Sequence, residues 1–183
     1  MTGYDEVADT TGYVKLPAGG YICKILETHI AVSNYSGRDQ LLAYVDIAEG
    51  KYSGYFQKQY NDKKQQNNST RWSNNAIFTR YIIDESTNRV TKALKMFLQS
   101  VVKSNEGFSV NPNNFEHRDL IGKVCGFTFG EREYEYNGKI YLTTEIKYPY
   151  PVEQIRAGEF KVPPIKQISS AAETTYDNDS VPF

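Results

Sequence analysis

At 183 residues, with 39% apolar and 14% aromatic side chains, the chain has the size of one domain with extensions, or of a small domain plus a tail. Its 15 tyrosines favour a β-rich domain over a helical bundle, and a formal net charge of −1 gives no global electrostatic signature. No apolar run reaches the length needed to cross a bilayer, and the opening Met-Thr-Gly-Tyr-Asp-Glu lacks the basic and apolar regions of a signal peptide, so a cytoplasmic protein is expected.

Residues 1–16 are polar with scattered tyrosines and read as an N-terminal arm or short edge strand; Pro17-Ala18-Gly19-Gly20 then punctuates the chain. From Tyr21 to Val32 a long strand-like run changes phase near Leu26, as a strand does when it bends or bulges between two halves of a small barrel. Ser36-Gly37 marks a turn. The following run puts Ala43, Val45 and Ile47 on one face and Leu42, Tyr44 and Asp46 on the other, so Tyr44 is a candidate for the outer surface.

Lys51 to Lys103 holds ten basic residues against three acidic ones, a local charge of +7 hidden in a nearly neutral chain. Tyr55 to Tyr60 reads as a third strand. A polar insert of about eleven residues separates Tyr60 from Trp72, longer than the usual ~4–6-residue connection. Cations that track a phosphate backbone, interleaved with rings that accept stacked bases, are what a single-stranded nucleic-acid site requires. The same aromatics at alternate strand positions can equally be core, and a Lys/Asn/Gln-rich insert can be a solvated loop.

Ala76 to Ile83 fits either a strand or a short helix. Past several N-cap candidates, a helix is expected near Arg89 to Ser104, with Val90, Leu94, Phe97, Leu98 and Val101 as its apolar stripe and Lys92, Lys95, Gln99 and Lys103 turned largely away. Leu120 to Gly130 reads as a strand. Glu131 to Tyr136 and Lys139 to Tyr148 form a hairpin around Asn137-Gly138, the strongest short hairpin signal. In its second arm Ile140, Leu142, Thr144 and Ile146 make an apolar face, leaving Lys139 and Tyr141 on the exposed one.

Cys23 and Cys125 lie in alternating apolar runs, and His29 and His117 are far apart; both cysteines read as reduced and buried, with no metal spacing and no cofactor motif.

Three strands, a helix and two more strands make a mainly β chain and match the five-stranded oligonucleotide/oligosaccharide-binding (OB) barrel, with one helix between strands 3 and 4 and a ligand surface over strands 2 and 3 and the 1–2 and 4–5 loops. The expected organisation is residues 1–16 as arm, 17–150 as the OB domain, 151–168 as a proline-containing extension, and 169–183 as an acidic tail too polar to fold alone. The end of the chain, Asp177-Asn178-Asp179-Ser180-Val181-Pro182-Phe183, resembles the acidic tip of bacterial single-stranded DNA-binding proteins, with Asn178 and Ser180 interrupting the acids. There the terminal Phe183 ring would fill a partner pocket beside Val181 and Pro182, and Asp177 and Asp179 would meet its basic rim. Leu120 to Lys123, Glu133 to Gly138 and Ile155 to Pro163 are similar to a group of phage and prophage single-stranded DNA-binding proteins of Gram-positive bacteria. That resemblance implies an OB fold and a role in phage DNA replication or recombination; the protein is expected to be non-catalytic.

On this reading Tyr44, Tyr55, Tyr60, Trp72 and Tyr141 stack on bases, and Lys58, Lys63, Lys64, Arg71, Arg80 and Lys139 meet phosphates. Replication or recombination proteins are the expected partners of the tail, and a homo-oligomer is compatible with the sequence. A metal-dependent nuclease is disfavoured, because Asp46, Glu49, Asp62, Asp84 and Glu85 form no recognisable motif. An OB module for protein or saccharide is the alternative; it would lack the salt-sensitive electrostatic term.

Overall fold

Strand β1 (Gly19–Val32) changes partners along its length in the computed structural model, which describes residues 14–168. Its first half pairs with β6 (Val124–Tyr136), from Gly19↔Phe129 to Lys24↔Val124, and its second half pairs with β2 (Asp39–Ile47) out to Val32↔Asp39. The expected phase change is a bulge between Ile25 and Glu27. Cys23 and Ile25 face the core before it and Thr28 is the buried residue after it, so the extra residue bends the strand and resets which side chains point inward.

The sheet is antiparallel throughout, in the order β3-β2-β1-β6-β7, with β3 at Ile77–Tyr81 and β7 at Lys139–Tyr150. Leu41, Ala43, Val45 and Ile47 of β2 face the interior as their alternation predicts. Asn137 and Gly138 both have positive φ (51° and 70°), the backbone a two-residue hairpin turn demands, and they set the register Tyr136↔Lys139 and Tyr134↔Tyr141. A small ribbon, β4 (Ile83–Asp84) with β5 (Arg89–Val90), precedes α2 (Lys92–Ser104). Thr91 caps that helix by accepting from Leu94 N at 3.1 Å, and Leu94, Phe97, Leu98 and Val101 are fully buried. Phe97 meets Phe78 and Phe127 in one ring cluster at 4.8–6.1 Å between centroids.

Past β7, α3 (Val152–Arg156) buries Val152. The chain then returns across β6: Lys166 N donates to Glu131 O at 3.0 Å, and Glu133 N to Lys166 O at 2.9 Å.

The structure corrects several expectations. Tyr55 to Tyr60 is no strand; it opens helix α1 (Tyr55–Gln66), and the third strand of the main sheet is β3, which resolves the strand-or-helix choice at Ala76–Ile83. Half of the supposed polar loop is therefore helix. The sheet is not closed into a barrel either. No ladder joins β3 to β7; side chains span the seam instead, Asn75 Nδ2 donating to Thr143 Oγ1 at 2.7 Å and Arg80 Nη2 to Lys147 O at 2.8 Å. At the hairpin tip Ile140 is 63% exposed, so the apolar face of β7 is packed only further along, at Thr144 and Ile146. The tail residues Asp177, Asp179, Val181, Pro182 and Phe183 lie outside the described residues.

Candidate functional site

Helix α1 owes its position to residues remote in sequence. Gly54 enters it in the left-handed region (φ 74°), and no residue of its own first turn caps it. The buried Asp46 of β2 fills that role: its Oδ1 accepts from Ile47 N (2.8 Å) and Phe56 N (2.9 Å), and its Oδ2 from Gln57 N (3.1 Å). Burial raises the Asp46 carboxyl above its ordinary pKa, while the three N–H donors pull against that rise. Phe56, one turn ahead of Tyr60, stacks on Phe129 at 5.9 Å and anchors the helix to the core.

Between α1 and the β6–β7 hairpin lies a cavity of about 270 Å³. One wall is Tyr55, Phe56, Gln59 and Lys63 of α1; the other is Arg132 and Tyr134 of β6 with Leu142, Thr143 and Thr144 of β7. Ser73 and Asn75 close one side, and Lys15 and Leu16 another. Lys15 is held there by its neighbours, since Tyr55 Oη donates to Val14 O at 2.8 Å and Thr144 Oγ1 to Leu16 O at 2.5 Å. Among the described residues no carboxylate lines the cavity. Lys15 pairs with Glu131, and Arg132 Nε donates to Glu145 Oε2 at 2.8 Å; Lys63 has no ion pair among the described residues. Gln59 is 7% exposed, and its amide makes no hydrogen bond to any described residue.

Next to the cavity the same helix carries a ring cluster. Tyr60 lies 5.6 Å from Trp72 in a tilted contact, and Lys64 Nζ is 5.4 Å from the Tyr60 centroid. Trp72 directly precedes Ser73 of the cavity wall, is half-buried against the core, and has a buried Nε1 without an acceptor among the described residues. Across the cavity, Tyr134 stacks on Tyr141 at 5.6 Å with an interplanar angle of 27°.

Of the residues singled out in the sequence, Tyr55 and Lys63 line the cavity, and Tyr60, Lys64, Trp72 and Tyr141 border it through these contacts. Lys58, Arg71 and Lys139 are exposed, on α1, ahead of Trp72 and at the hairpin tip. Tyr44 is elsewhere, half-buried on β2 and edge-on to His29 at 5.2 Å. Arg80 faces inward. Its Nη1 donates to Thr79 O at 2.7 Å, its guanidinium lies 4.0 Å from the Phe78 centroid, and burial lowers its pKa to about 10. It is a seam residue between β3 and β7, with two of its donors on backbone carbonyls. Sequence reasoning missed Lys15, Gln59, Arg132 and Tyr134. For Tyr134 a signal existed, because the two-residue Asn137-Gly138 turn already dictates the Tyr134↔Tyr141 pair.

Among the described residues no group of His, Cys, Asp and Glu is arranged to hold a metal ion, and no helix is long and apolar enough to cross a membrane. The sequence matches no protein-family model and no curated protein.

Proposed function

We propose that this is a non-catalytic protein that binds single-stranded DNA across α1 and the β6–β7 hairpin. One observation carries the reading: Lys58, Lys63, Lys64 and Arg71 share one helix and its following loop with the Tyr60–Trp72 pair, Lys63 lines a cavity that Tyr134 of the Tyr134–Tyr141 stack lines from the other side, and Asp62 is the only acid between Tyr55 and Trp72. Uncompensated cations supply the sequence-independent attraction to phosphates, and rings supply base stacking. The strand order supports an OB-type barrel opened between its third and fifth strands, a class in which partial opening is common. Together with the resemblances at the C-terminal tip and over Phe115 to Lys166, this favours a cytoplasmic role in phage-type DNA replication or recombination. Partner proteins would be recruited through the tail from Asp177 to Phe183.

The test is a fluorescence titration following Trp72, the sole tryptophan, with oligothymidylate at two salt concentrations beside a matched duplex. Quenching by the single strand, weakened by salt and absent with the duplex, is the expected result. No binding by fluorescence or by gel shift would overturn the proposal and favour a protein- or saccharide-binding OB module.

A further inference from the structure

We infer that the cavity between α1 and the β6–β7 hairpin takes one unstacked nucleobase of the bound strand, with the Gln59 amide as its hydrogen-bonding partner. This rests on the single-strand reading above and gives it a defined subsite.

Three observations converge. First, Gln59 is more than nine-tenths buried, lines the cavity, and has an amide with no partner among the described residues. The amide is not itself sealed off, since Trp72 Nε1 is the only fully buried unpaired side-chain polar atom among the described residues; its donor and acceptor are both open to a ligand in the cavity. Every nucleobase offers an edge with a donor beside an acceptor, so one rotatable amide serves any of them. Second, the walls suit a flat aromatic ring. Tyr55 and Tyr134 line the space with Phe56, Leu16 and Leu142, and no carboxylate among the described residues is present there to repel a nucleotide. Third, Lys63, one turn from Gln59 on the same face of α1, lacks an ion pair among the described residues and is placed to meet the phosphate attached to that base. About 270 Å³ is just below the ~300 Å³ at which pockets for drug-sized ligands begin, which suits a single base and part of its sugar and excludes a folded peptide segment. The remaining bases would lie outside, on the Tyr60–Trp72 and Tyr134–Tyr141 rings.

The experiment uses the full chain, ¹⁵N-labelled, with a short oligothymidylate and with a set of the same oligomer carrying one abasic residue at each position in turn. The expected result is a saturable shift of the Gln59 side-chain NH₂ resonances, one abasic position that weakens binding, and a Gln59→Leu variant that binds the intact oligomer about five- to a hundredfold more weakly, the loss of two neutral hydrogen bonds, and no longer distinguishes that position. The wild-type resonance shift decides the matter even where the variant folds poorly. Normal oligomer binding with unshifted Gln59 resonances and no sensitive position would overturn the base pocket and leave the strand-binding reading intact. Failure of the wild-type protein to bind any oligomer would overturn both.

Discussion

Helix α1 (Tyr55–Gln66) and helix α2 (Lys92–Ser104) each carry three lysines and differ by one residue in length, yet they are held in opposite ways. α2 is specified by its own residues: Thr91 caps it, and Leu94, Phe97, Leu98 and Val101 recur at helical spacing to fill the core. α1 buries only Phe56 and Gln59 and takes its cap from Asp46 on a strand. A helix that contributes little to the core leaves its other faces free for a ligand. The lysines of α2 belong to a structural element, whereas on α1 Lys63 lines a cavity and Lys64 lies by the Tyr60 ring.

That contrast can be broken by mutation. Phe97→Ala, which empties the centre of the Phe78–Phe97–Phe127 cluster, is expected to cost about 3–5 kcal/mol of stability by urea denaturation. Asp46→Ala leaves three N–H groups without their acceptor and should cost about 1–3 kcal/mol. It should also weaken strand binding by loosening α1. If affinity is unchanged while stability falls, α1 is not the binding element. Tyr60→Ala should reduce binding free energy by about 1–3 kcal/mol, the cost of one lost stacking platform, with the loss read from equilibrium titration. Thr91→Ala, the α2 counterpart of Asp46→Ala, should cost about 1 kcal/mol of stability and nothing in affinity.

The smallest effect concerns pH. Burial alone would raise the Glu145 carboxyl, but Lys147 and Arg132 hold it below its ordinary range. A carboxylate with a depressed folded-state pKa contributes stability that is present above its unfolded pKa and is lost as pH falls through the folded value. Glu145→Gln removes this contribution. The stability gap between wild type and variant should therefore be full at neutral pH and close as pH drops below the ordinary glutamate range, measured by denaturation across that window.

Legibility in the sequence follows the same local-versus-remote divide. The bulge after Ile25 showed as a broken alternation, α2 as an apolar stripe, and the hairpin as Asn137-Gly138, because each is encoded within a few residues; the α2 cap expected among residues 84–88 is Thr91 instead, since Arg89 and Val90 form strand β5. α1 was not legible. Tyr55, Phe56 and Tyr60 among polar residues mimic a strand, and the helix is fixed by Asp46, nine residues before its first residue Tyr55 and on another element. Arg80 was misplaced for a different reason. It lies two residues from Phe78 and so shares its inward face, a consequence of strand period that a surface role for the cation overlooked. The cavity could not be foreseen at all, since its walls come from five separate stretches of chain.

The most direct measurement compares the two helices by salt dependence. Affinity for oligothymidylate is followed against salt for wild type, for Lys58, Lys63 and Lys64 replaced together by Ala, and for Lys92, Lys95 and Lys103 replaced together by Ala. Each phosphate neutralised on a single strand contributes about 0.7 to the slope of log K against log salt. The α1 triple variant should thus flatten the slope by about 2, and the α2 triple variant should leave it as in wild type. Equal slopes for the α1 variant and wild type, or flattening confined to the α2 variant, would contradict the account.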